Sequence, residues 1–403
     1  MPGVSGHRRR AVLGILALVF ALAVDPTAAG AQASPAAVEA PNDPLFRHQW
    51  YLPAIQIPTA WAVSRGAGAT VAVLDTGIAY ATRGPYRRAP DLAGTRFVAG
   101  WDFVDGDRHP NDVAPRDGRR SHGTQIAGII AQTTNNALGG AGVAPAAAIM
   151  PIRVLRPDLS GSATAVARGL RFAADHGADI ANLSIAGPSR TRIMREAVAY
   201  AVAKGVTVIA AAGNDGRATV SWPAAEPQVI AVGAVARDLT RAQYSNFGAR
   251  LDLVAPSGAG VRGDSGFGPA DGVVAQTLKG GPSQFCFCFT ASTSAAAALV
   301  SGVAALIVGA GEADGPAAIR AALLRSARDL GPDGRDDEYG AGLVQAAGAV
   351  GAEAPASGAE PPAGASDEGF ALRPLLLAGA AIASVLVLVL MGTTRRRHRR
   401  RAG

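Results

Sequence analysis

Apolar runs of strand length alternate with longer segments of helical periodicity from about residue 69 to residue 309. Five near-continuous apolar runs have the length expected of strands that are buried on both faces. They span residues 69–75, 147–155, 178–185, 205–213 and 228–235. Two segments, 164–177 and 191–205, have apolar residues at helical spacing and end in glycine, a common C-terminal cap. This alternation predicts an α/β fold in which helices cover both faces of a mostly parallel central sheet.

Both ends of the chain carry apolar segments of a different kind. Near the N-terminus, a basic stretch, an apolar run and an Ala-Gly-Ala sequence predict a secretory signal peptide over residues 1–33. Near the C-terminus, residues 375–392 contain no charge and are long enough to cross a bilayer, and the arginine-rich stretch 395–401 follows them. We therefore predict a single-pass transmembrane helix at 372–392 and a basic cytoplasmic tail at 393–403. The rest of the chain is then extracellular or periplasmic, anchored to the cell membrane.

Composition divides the chain between these ends into three parts. A main α/β domain is predicted over residues 61–350, preceded by a short N-terminal extension over residues 34–60. Residues 351–371 are rich in Pro, Ala and Gly and have little to bury, which is typical of a flexible spacer.

The basic character of the chain resides mainly in its ends. The formal net charge is +7, but residues 1–33 carry +2 and residues 371–403 carry +7, which leaves −2 for the residues between. The basic block lies where a membrane flank belongs rather than on a surface that could bind phosphates. We therefore expect no nucleic-acid partner.

Cys286 and Cys288 are the two cysteines of the chain. On an extended strand, a two-residue spacing turns both side chains to one face, and a bridge between such close positions is geometrically awkward. No further cysteine completes a metal site. We expect two buried small apolar side chains, with a metal pair or a redox switch as the weaker alternatives.

Four polar residues follow predicted strands or open predicted helices, where the active groups of parallel α/β sheets gather. Asp75 ends the first strand, His122 opens a helical segment, Asn214 follows another strand, and Ser294 begins an alanine-rich helix. An acid, an imidazole and a hydroxyl are the parts of a nucleophilic relay, and an amide can donate to an oxyanion. Each position alone is also explained by turn formation or helix capping, so the hypothesis depends on the combination.

The segments around these residues are similar to those of a known family. VAVLDTGI (71–78), SHGTQIAG (121–128), AAAGNDG (210–216) and STSAAAALVSGVAAL (292–306) resemble, in this chain order, the subtilisin-like serine peptidases, the S8 or subtilase family. The resemblance covers about residues 43–350. It implies the three-layer subtilisin-like α/β fold and an endopeptidase that cleaves peptide bonds through an acyl-enzyme.

The resemblance also implies roles for individual residues. Asp75 would orient His122, His122 would act as general base and acid, and Ser294 would be the nucleophile. Asn214 would complete an oxyanion hole with the N–H of Ser294. A substrate-pairing strand and the wall of the first specificity pocket are implied for two short segments, Ser184, Ile185, Ala186 and Ala211, Ala212, Gly213.

Three positions depart from the family pattern. Ser292 stands where Gly is usual before the nucleophile, and a Cβ there strains a tight turn if its φ is positive. Gln125 replaces a frequent second histidine, and Ala298 replaces a frequent proline in the nucleophile helix. None of these changes removes a member of the implied triad.

No cofactor is required by this chemistry, although Ca²⁺ is a candidate ligand. Asp102, Asp105 and Asp107 are oxygen ligands of the kind that Ca²⁺ prefers, in a loop that binds it in some subtilases. A plain acidic loop is the simpler interpretation, because no spacing here matches a fixed calcium motif.

The predicted organisation of signal peptide, peptidase domain, spacer, single span and basic tail resembles the mycosins, membrane-anchored subtilases of type VII secretion. Two functions follow. The first is an outward-facing serine endopeptidase that acts on protein or peptide substrates. The alternative is a structural component of a membrane secretion complex, with secretion partners and a triad that is secondary or inert.

Overall fold

A parallel sheet organises the part of the chain that the structure, a computed structural model, describes: residues 39–115, 117–260 and 271–352. The predicted signal peptide, transmembrane helix and basic tail lie outside the described residues, as does nearly all of the spacer. The strands are β1 (Thr70–Asp75), β2 (Arg96–Phe97), β3 (Trp101–Asp102), β4 (Ala148–Arg153), β5 (Ile180–Leu183), β6 (Thr207–Ala211), β7 (Ile230–Val235), β8 (Leu253–Pro256), β9 (Val273–Leu278) and β10 (Phe285–Thr290).

Eight of these strands form the central sheet. Their order is β2-β4-β1-β5-β6-β7-β8, with β3 also paired to β4, and every pairing is parallel. The residues of β1 and β4 to β8 are almost all fully buried, which explains why each strand reads as a continuous apolar run. The predicted mostly parallel α/β sheet is confirmed.

Eight helices accompany the sheet in the described part of the chain. They are α1 (Tyr51–Ala54), α2 (Ile57–Ala60), α3 (Gly123–Ala131), α4 (Ala163–Asp175), α5 (Arg192–Ala203), α6 (Thr293–Ala310), α7 (Pro316–Ser326) and α8 (Ala346–Ala349). Two short 3-10 turns span Phe46–His48 and Pro90–Leu92. The side chains of Ser162 and Thr191 cap the N-termini of α4 and α5 by accepting from backbone N–H groups.

Helix α6 is the core helix of the domain. It contacts β5, β6 and β7, and Ala295 to Ala298 are fully buried. A Cβ on Gly302 would lie 2.5 Å from the Cβ of Val143, so the close approach of α6 to that segment requires glycine. Among the described residues, α6 alone is long and apolar enough to cross a membrane, and 83% of that window is buried inside the protein.

An antiparallel hairpin of β9 and β10 lies apart from the central sheet, packs on α3 and leads into α6. Cys286 and Cys288 of β10 form a disulfide, so the prediction of two free, buried cysteines is wrong. Their Cα atoms are 5.6 Å apart, within the range that a disulfide spans, and both residues are half-exposed. The spacing that turns both side chains to one face is what allows the bridge.

Arg320 of α7 ties the outer strands of the sheet to this helix. Its guanidinium donates to the backbone oxygen of Val229 (3.1 Å) and to the carboxylate of Asp252, which also accepts from the N–H of Ala231 in β7 (2.9 Å). Asp252 is buried, whereas 30% of the Arg320 side chain is exposed.

Loss of this guanidinium should destabilise the fold. We expect Arg320→Ala to lower the free energy of unfolding by about 2 kcal/mol, because it leaves a buried carboxylate without its cation. The measurement is denaturant unfolding of the variant. Arg192→Ala, which breaks the exposed Arg192–Glu196 pair on α5, is the control and should change it by less than about 0.5 kcal/mol. Equal effects of the two substitutions would contradict the assignment.

Candidate active site

The predicted site residues follow neighbouring strands at the carboxyl edge of the sheet. Val73 of β1 is paired with Asn182 of β5, and two residues later the strands end at Asp75 and continue to Ser184. The next strand, β6, ends at Ala211. Because the carboxyl ends of parallel strands lie at one edge, the fold brings these segments together where the crevice of such sheets forms.

Asp75 and His122 are in direct contact. The Nδ1 of His122 lies 2.8 Å and 2.9 Å from the two carboxylate oxygens of Asp75, and the carboxylate also accepts from the N–H of Thr76 (2.7 Å). Asp75 is fully buried, whereas 21% of the His122 side chain is exposed. A carboxylate at Nδ1 fixes the tautomer in which Nδ1 carries a proton and leaves Nε2 as the acceptor.

Two opposing effects set the pKa of His122. Burial lowers it, but the negative charge and hydrogen bond of Asp75, together with the charge of Asp112, outweigh burial and raise it above its ordinary value of 6.5. A histidine with a raised pKa contributes stability that is full below pH 6.5 and is lost as the pH rises through the folded-state pKa.

Asp112 supports the Asp75–His122 pair through hydrogen bonds to residues next to each of them. Its carboxylate accepts from the hydroxyl of Thr76 (2.8 Å) and from the N–H and hydroxyl of Thr124 (3.0 Å and 2.6 Å). Thr76 in turn accepts from the N–H of Gly123, the first residue of α3. Asp112 is therefore the buried link between the residue after Asp75 and the helix that begins after His122.

The sequence gives a weak signal for this role, because Asp112 lies in an acidic loop ten residues before the histidine. Burial raises the pKa of Asp112, and the hydrogen bonds from Thr124, Ser121 and Thr76 oppose that rise. All of the bonds described here are donated to it, which suits a carboxylate rather than a protonated acid.

Ser294 lies in the first turn of α6, against the end of β5. Its hydroxyl donates to the backbone oxygen of Ser184 (3.4 Å), and the hydroxyl of Ser184 donates to the backbone oxygen of Ser294 (3.0 Å). No hydrogen bond joins Ser294 to His122 within the described residues. The contact of Asp75 with His122 thus forms the acid–imidazole half of a relay. The hydroxyl of Ser294 is instead bonded to the residue that follows β5. Such bonds often tighten only when substrate binds.

Asn214 is held by the residue before Ser294. Its side-chain oxygen accepts from the N–H (2.8 Å) and the hydroxyl (2.9 Å) of Thr293, which turns its NH₂ group away from these contacts. Neither this NH₂ group nor the N–H of Ser294 has a hydrogen-bond partner among the described residues. Asn214 is exposed, so both donors are available to an oxygen that enters the crevice.

Ser292, which replaces the usual glycine, fits its position without backbone strain and caps a helix. Its φ of −169° is extended backbone, and its hydroxyl caps α6 by accepting from the N–H of Ala295 (3.3 Å). The strain that a positive φ would cause is absent at this residue. Gln125, the other departure next to the pair, donates to the backbone oxygen of Cys288 (2.7 Å) and so ties α3 to the hairpin.

The segment after β5 offers an open edge. Ser184 is buried, Ile185 is half-buried and Ala186 is exposed. The backbone N–H and C=O groups of Ile185 and Ala186 make no hydrogen bond to other described residues, whereas Gly187 is paired with Trp222 (2.7 Å and 3.1 Å). An extended peptide can add to this edge as a strand.

The predicted pocket wall follows β6. Ala211 and Ala212 are buried, and Gly213 has a φ of +110° with no room for a Cβ, which would lie 2.5 Å from the hydroxyl oxygen of Ser221. Asn246 donates to the backbone oxygen of Ala212 (3.2 Å) and so holds this segment in place.

A positively charged side chain from another strand already pairs with the acidic loop proposed for Ca²⁺. Arg153 of β4 donates to the carboxylates of Asp102 (2.7 Å) and Asp105 (2.5 Å). Asp107 accepts from the N–H of His109 instead. In the described part of the chain, no group of three or more His, Cys, Asp or Glu residues could hold a metal ion. The guanidinium neutralises the charge that a metal would otherwise attract, so these three residues do not fit Ca²⁺.

Asp91 and Asp43 are two further buried carboxylates, and neither has an ion-pair partner within residues 39–115, 117–260 and 271–352. Asp91 accepts from the side chain of Asn136 (2.8 Å), and Asp43 accepts from the N–H groups of Asn135 and Asn136 (2.8 Å and 3.1 Å). Burial and the neighbouring charge of Asp43 raise the pKa of Asp91 to about 7, although the hydrogen bonds from Asn136 and Gly140 lower it. A hard cation at this carboxylate would favour its charged form and lower its pKa.

Comparison with known proteins places this architecture in a family. The chain matches the Subtilase family, Peptidase S8, over residues 66–342. Thermitase of Thermoactinomyces vulgaris is 43% identical over 217 residues, which cover 54% of this chain and 73% of the relative. Subtilisin Savinase of Lederbergia lenta is 36% identical over 302 residues, 75% of this chain and 98% of the relative. A solved structure of a protease from Pseudoalteromonas arctica PAMC 21717 has a TM-score of 0.67 and 32% identity, covering 78% of this chain and 99% of that chain.

The charge of Asp112 should be measurable at His122. We expect the imidazole to titrate above pH 6.5 in the parent and at a lower pH in Asp112→Asn, which keeps the size of the side chain but removes one charge that raises the pKa. NMR titration of the imidazole resonances gives both values. Asp107→Asn, which changes an exposed carboxylate outside this network, is the control. An unchanged titration in Asp112→Asn would show that its charge does not act on His122.

Asp91 should make stability fall with rising pH. Its pKa is higher in the folded chain than in the unfolded chain, so ionisation between about pH 4 and pH 7 costs on the order of 3 kcal/mol of stability. Asp91→Asn should therefore be more stable relative to the parent at pH 8 than at pH 5. Denaturant unfolding at both pH values tests this, and added Ca²⁺ should stabilise only the parent at pH 8. The same pH dependence in parent and variant would refute the assignment.

Proposed function

Because this chain belongs to the subtilase family and is a serine endopeptidase, we propose that Asp75, His122 and Ser294 are its catalytic triad. The observation that carries the proposal is the contact of the His122 Nδ1 with both oxygens of a fully buried carboxylate. That contact leaves Nε2 as the base on the other side of the ring, and Ser294 lies in the first turn of α6.

The reaction follows from these positions. The Ser294 hydroxyl oxygen attacks the scissile carbonyl while the Nε2 of His122 takes its proton, and Asp75 stabilises the imidazolium that forms. The tetrahedral intermediate collapses when His122 returns that proton to the leaving nitrogen, which breaks the C–N bond and leaves an ester on Ser294. Water then attacks the ester with His122 as base, and the acid product and the free hydroxyl are released.

We propose that Asn214 and the N–H of Ser294 form the oxyanion hole. Neither donor has a hydrogen-bond partner in the part of the chain that the structure describes, and the contact with Thr293 holds the Asn214 amide in place. Loss of one such donor lowers kcat by about a hundred- to a thousandfold, a magnitude established for a related subtilisin. The free edge at Ile185 and Ala186 would pair with the acyl side of a protein or peptide substrate, and Ala211, Ala212 and Gly213 would line its first specificity pocket.

We further propose that the enzyme acts outside the cell, anchored to the membrane. The support is in the sequence: a basic stretch and an apolar run typical of a signal peptide within 1–33, a Pro/Ala/Gly-rich spacer at 351–371, an uncharged run at 375–392 within the predicted span 372–392, and an arginine-rich tail at 393–403. Within the peptidase domain, Asp91 is the residue best suited to hold Ca²⁺, where the ion would stabilise the fold rather than act on substrate.

Labelling with a fluorophosphonate probe tests the triad. We expect the parent chain to become labelled at Ser294, and both Ser294→Ala and His122→Ala to lose labelling because an activated serine needs its base. Ser292→Ala, which removes a neighbouring hydroxyl with only a capping role, is the matched control and should keep it. Labelling that persists in Ser294→Ala would disprove the assignment of the nucleophile.

A structural role in a membrane secretion complex is the second candidate. It is favoured by one observation, the absence of a hydrogen bond between Ser294 and His122 among the described residues, which suits a triad at rest. Complementation of a deletion strain separates the two. Rescue by Ser294→Ala but not by a chain that lacks residues 371–403 would support the structural role, and the reverse would support catalysis.

A further inference from the structure

The proposed chemistry determines which surface the leaving half of the substrate crosses. The acyl half lies along Ile185 and Ala186, and the carbonyl oxygen points to Asn214. His122 must reach the leaving nitrogen to protonate it, so the chain beyond the scissile bond departs past the imidazole, on the side away from the β5 edge. This inference therefore rests on the proposed function.

The residues directly before His122 are bonded to the β9–β10 hairpin, so this is the surface next to the imidazole that the leaving half would meet. The N–H of Ser121 donates to the backbone oxygen of Leu278 (2.9 Å), and Arg120 pairs with Lys279 as an antiparallel bridge. At the tip of the hairpin, the N–H of Arg87 donates to the backbone oxygen of Pro282 (3.4 Å). The hairpin thus connects two further chain segments, one of which leads directly to His122.

The hairpin and the two segments bonded to it carry a cluster of exposed positive charge, which we call the basic rim: Arg87, Arg119, Arg120 and Lys279. Only Arg119 has an ion-pair partner among the described residues, the exposed Asp117 (2.7 Å). Arg120 donates to the backbone oxygen of Phe289, and Arg87 donates to the backbone oxygens of Gly84 and Tyr86, both 2.8 Å away. These contacts orient the cations without neutralising them.

The rim stands out against the charge of the whole domain. Residues 34–370 together have a formal net charge of −2, so four exposed cations with one counter-ion in one place are a local feature. A one-signed surface next to a reactive centre attracts the opposite charge and raises its local concentration there.

We propose that the basic rim selects protein substrates that carry Asp or Glu in the first residues after the scissile bond. The leaving half of the substrate is extended, and its carboxylates come within reach of Lys279 and Arg120 as it passes His122. The interaction forms at an exposed site, so we expect a preference of about fivefold in kcat/KM for acidic over amide side chains. It should weaken in high salt, since exposed charges are screened over about 10 Å at 0.1 M ionic strength.

The test is cleavage-site profiling of a peptide library with the full-length chain in detergent. The peptides vary Asp, Glu, Asn and Gln over the three positions after the cleaved bond. The variant Lys279→Glu with Arg87→Glu reverses two charges of the rim that touch neither Asp75 nor His122. Arg195→Glu, an exposed reversal on α5, which packs against α4 and β6, controls for a charge reversal away from the rim.

We expect acidic residues to be enriched about fivefold by the parent and by Arg195→Glu, and the enrichment to vanish or reverse in the double variant. Fluorophosphonate labelling, which needs no leaving peptide, should be equal in all three proteins and shows that each one is folded. Absence of acidic enrichment in the parent, or enrichment that survives in the double variant, overturns this inference alone. Absence of both labelling and cleavage in the parent overturns the proposed function and this inference with it.

Discussion

The structure depends on a carboxylate that is buried at the carboxyl end of β1 and cannot be left unpaired. Isolated in an apolar interior, the charge of Asp75 would cost far more than the net stability of a domain. The N–H of Thr76 and the imidazole of His122 compensate it. Because His122 immediately precedes α3, satisfying one carboxylate also fixes where that helix begins. Asp112 is likewise a buried carboxylate that is compensated by hydrogen bonds, here from the hydroxyls of Thr76 and Thr124.

Much of the fold was predictable because six strands of the sheet are buried on both faces. Such strands need no alternation, so β1 and β4 to β7 appear in the sequence as uninterrupted apolar runs. The short strands β2 and β3 have no such signature and were not predicted. Helix α6 shows the limit of this reasoning, because its composition satisfies a membrane span as well as a core helix. Only the packing of β5, β6 and β7 against it decides between them.

The candidate site was predictable where its residues are polar and follow apolar runs. Asp75, His122, Asn214 and Ser294 could be singled out, and their roles stay predictions that the labelling experiment addresses. What the sequence could not indicate are pairings that bring distant residues together. Arg153 lies 51 residues from Asp102, yet its guanidinium occupies the position assigned to a metal. Likewise, the position of Asp112 in an acidic loop is only a weak sign of its bonds to Thr76 and Thr124 beside the His122 pair.

The β9–β10 hairpin connects the two segments that the chemistry must keep in register. On one side it holds Ser121, next to His122, and on the other it runs through Thr290 into α6 and Ser294. The hairpin is therefore bonded to the segment of the base and continuous with the segment of the nucleophile, and the bonds of Asn214 to Thr293 link the proposed oxyanion donor to the same frame. The tip of the hairpin, residues 280–284, is the part of this frame that is bonded to neither of these two segments. New sequence can accumulate there, and new selectivity with it, while the distance between the two reacting groups is preserved.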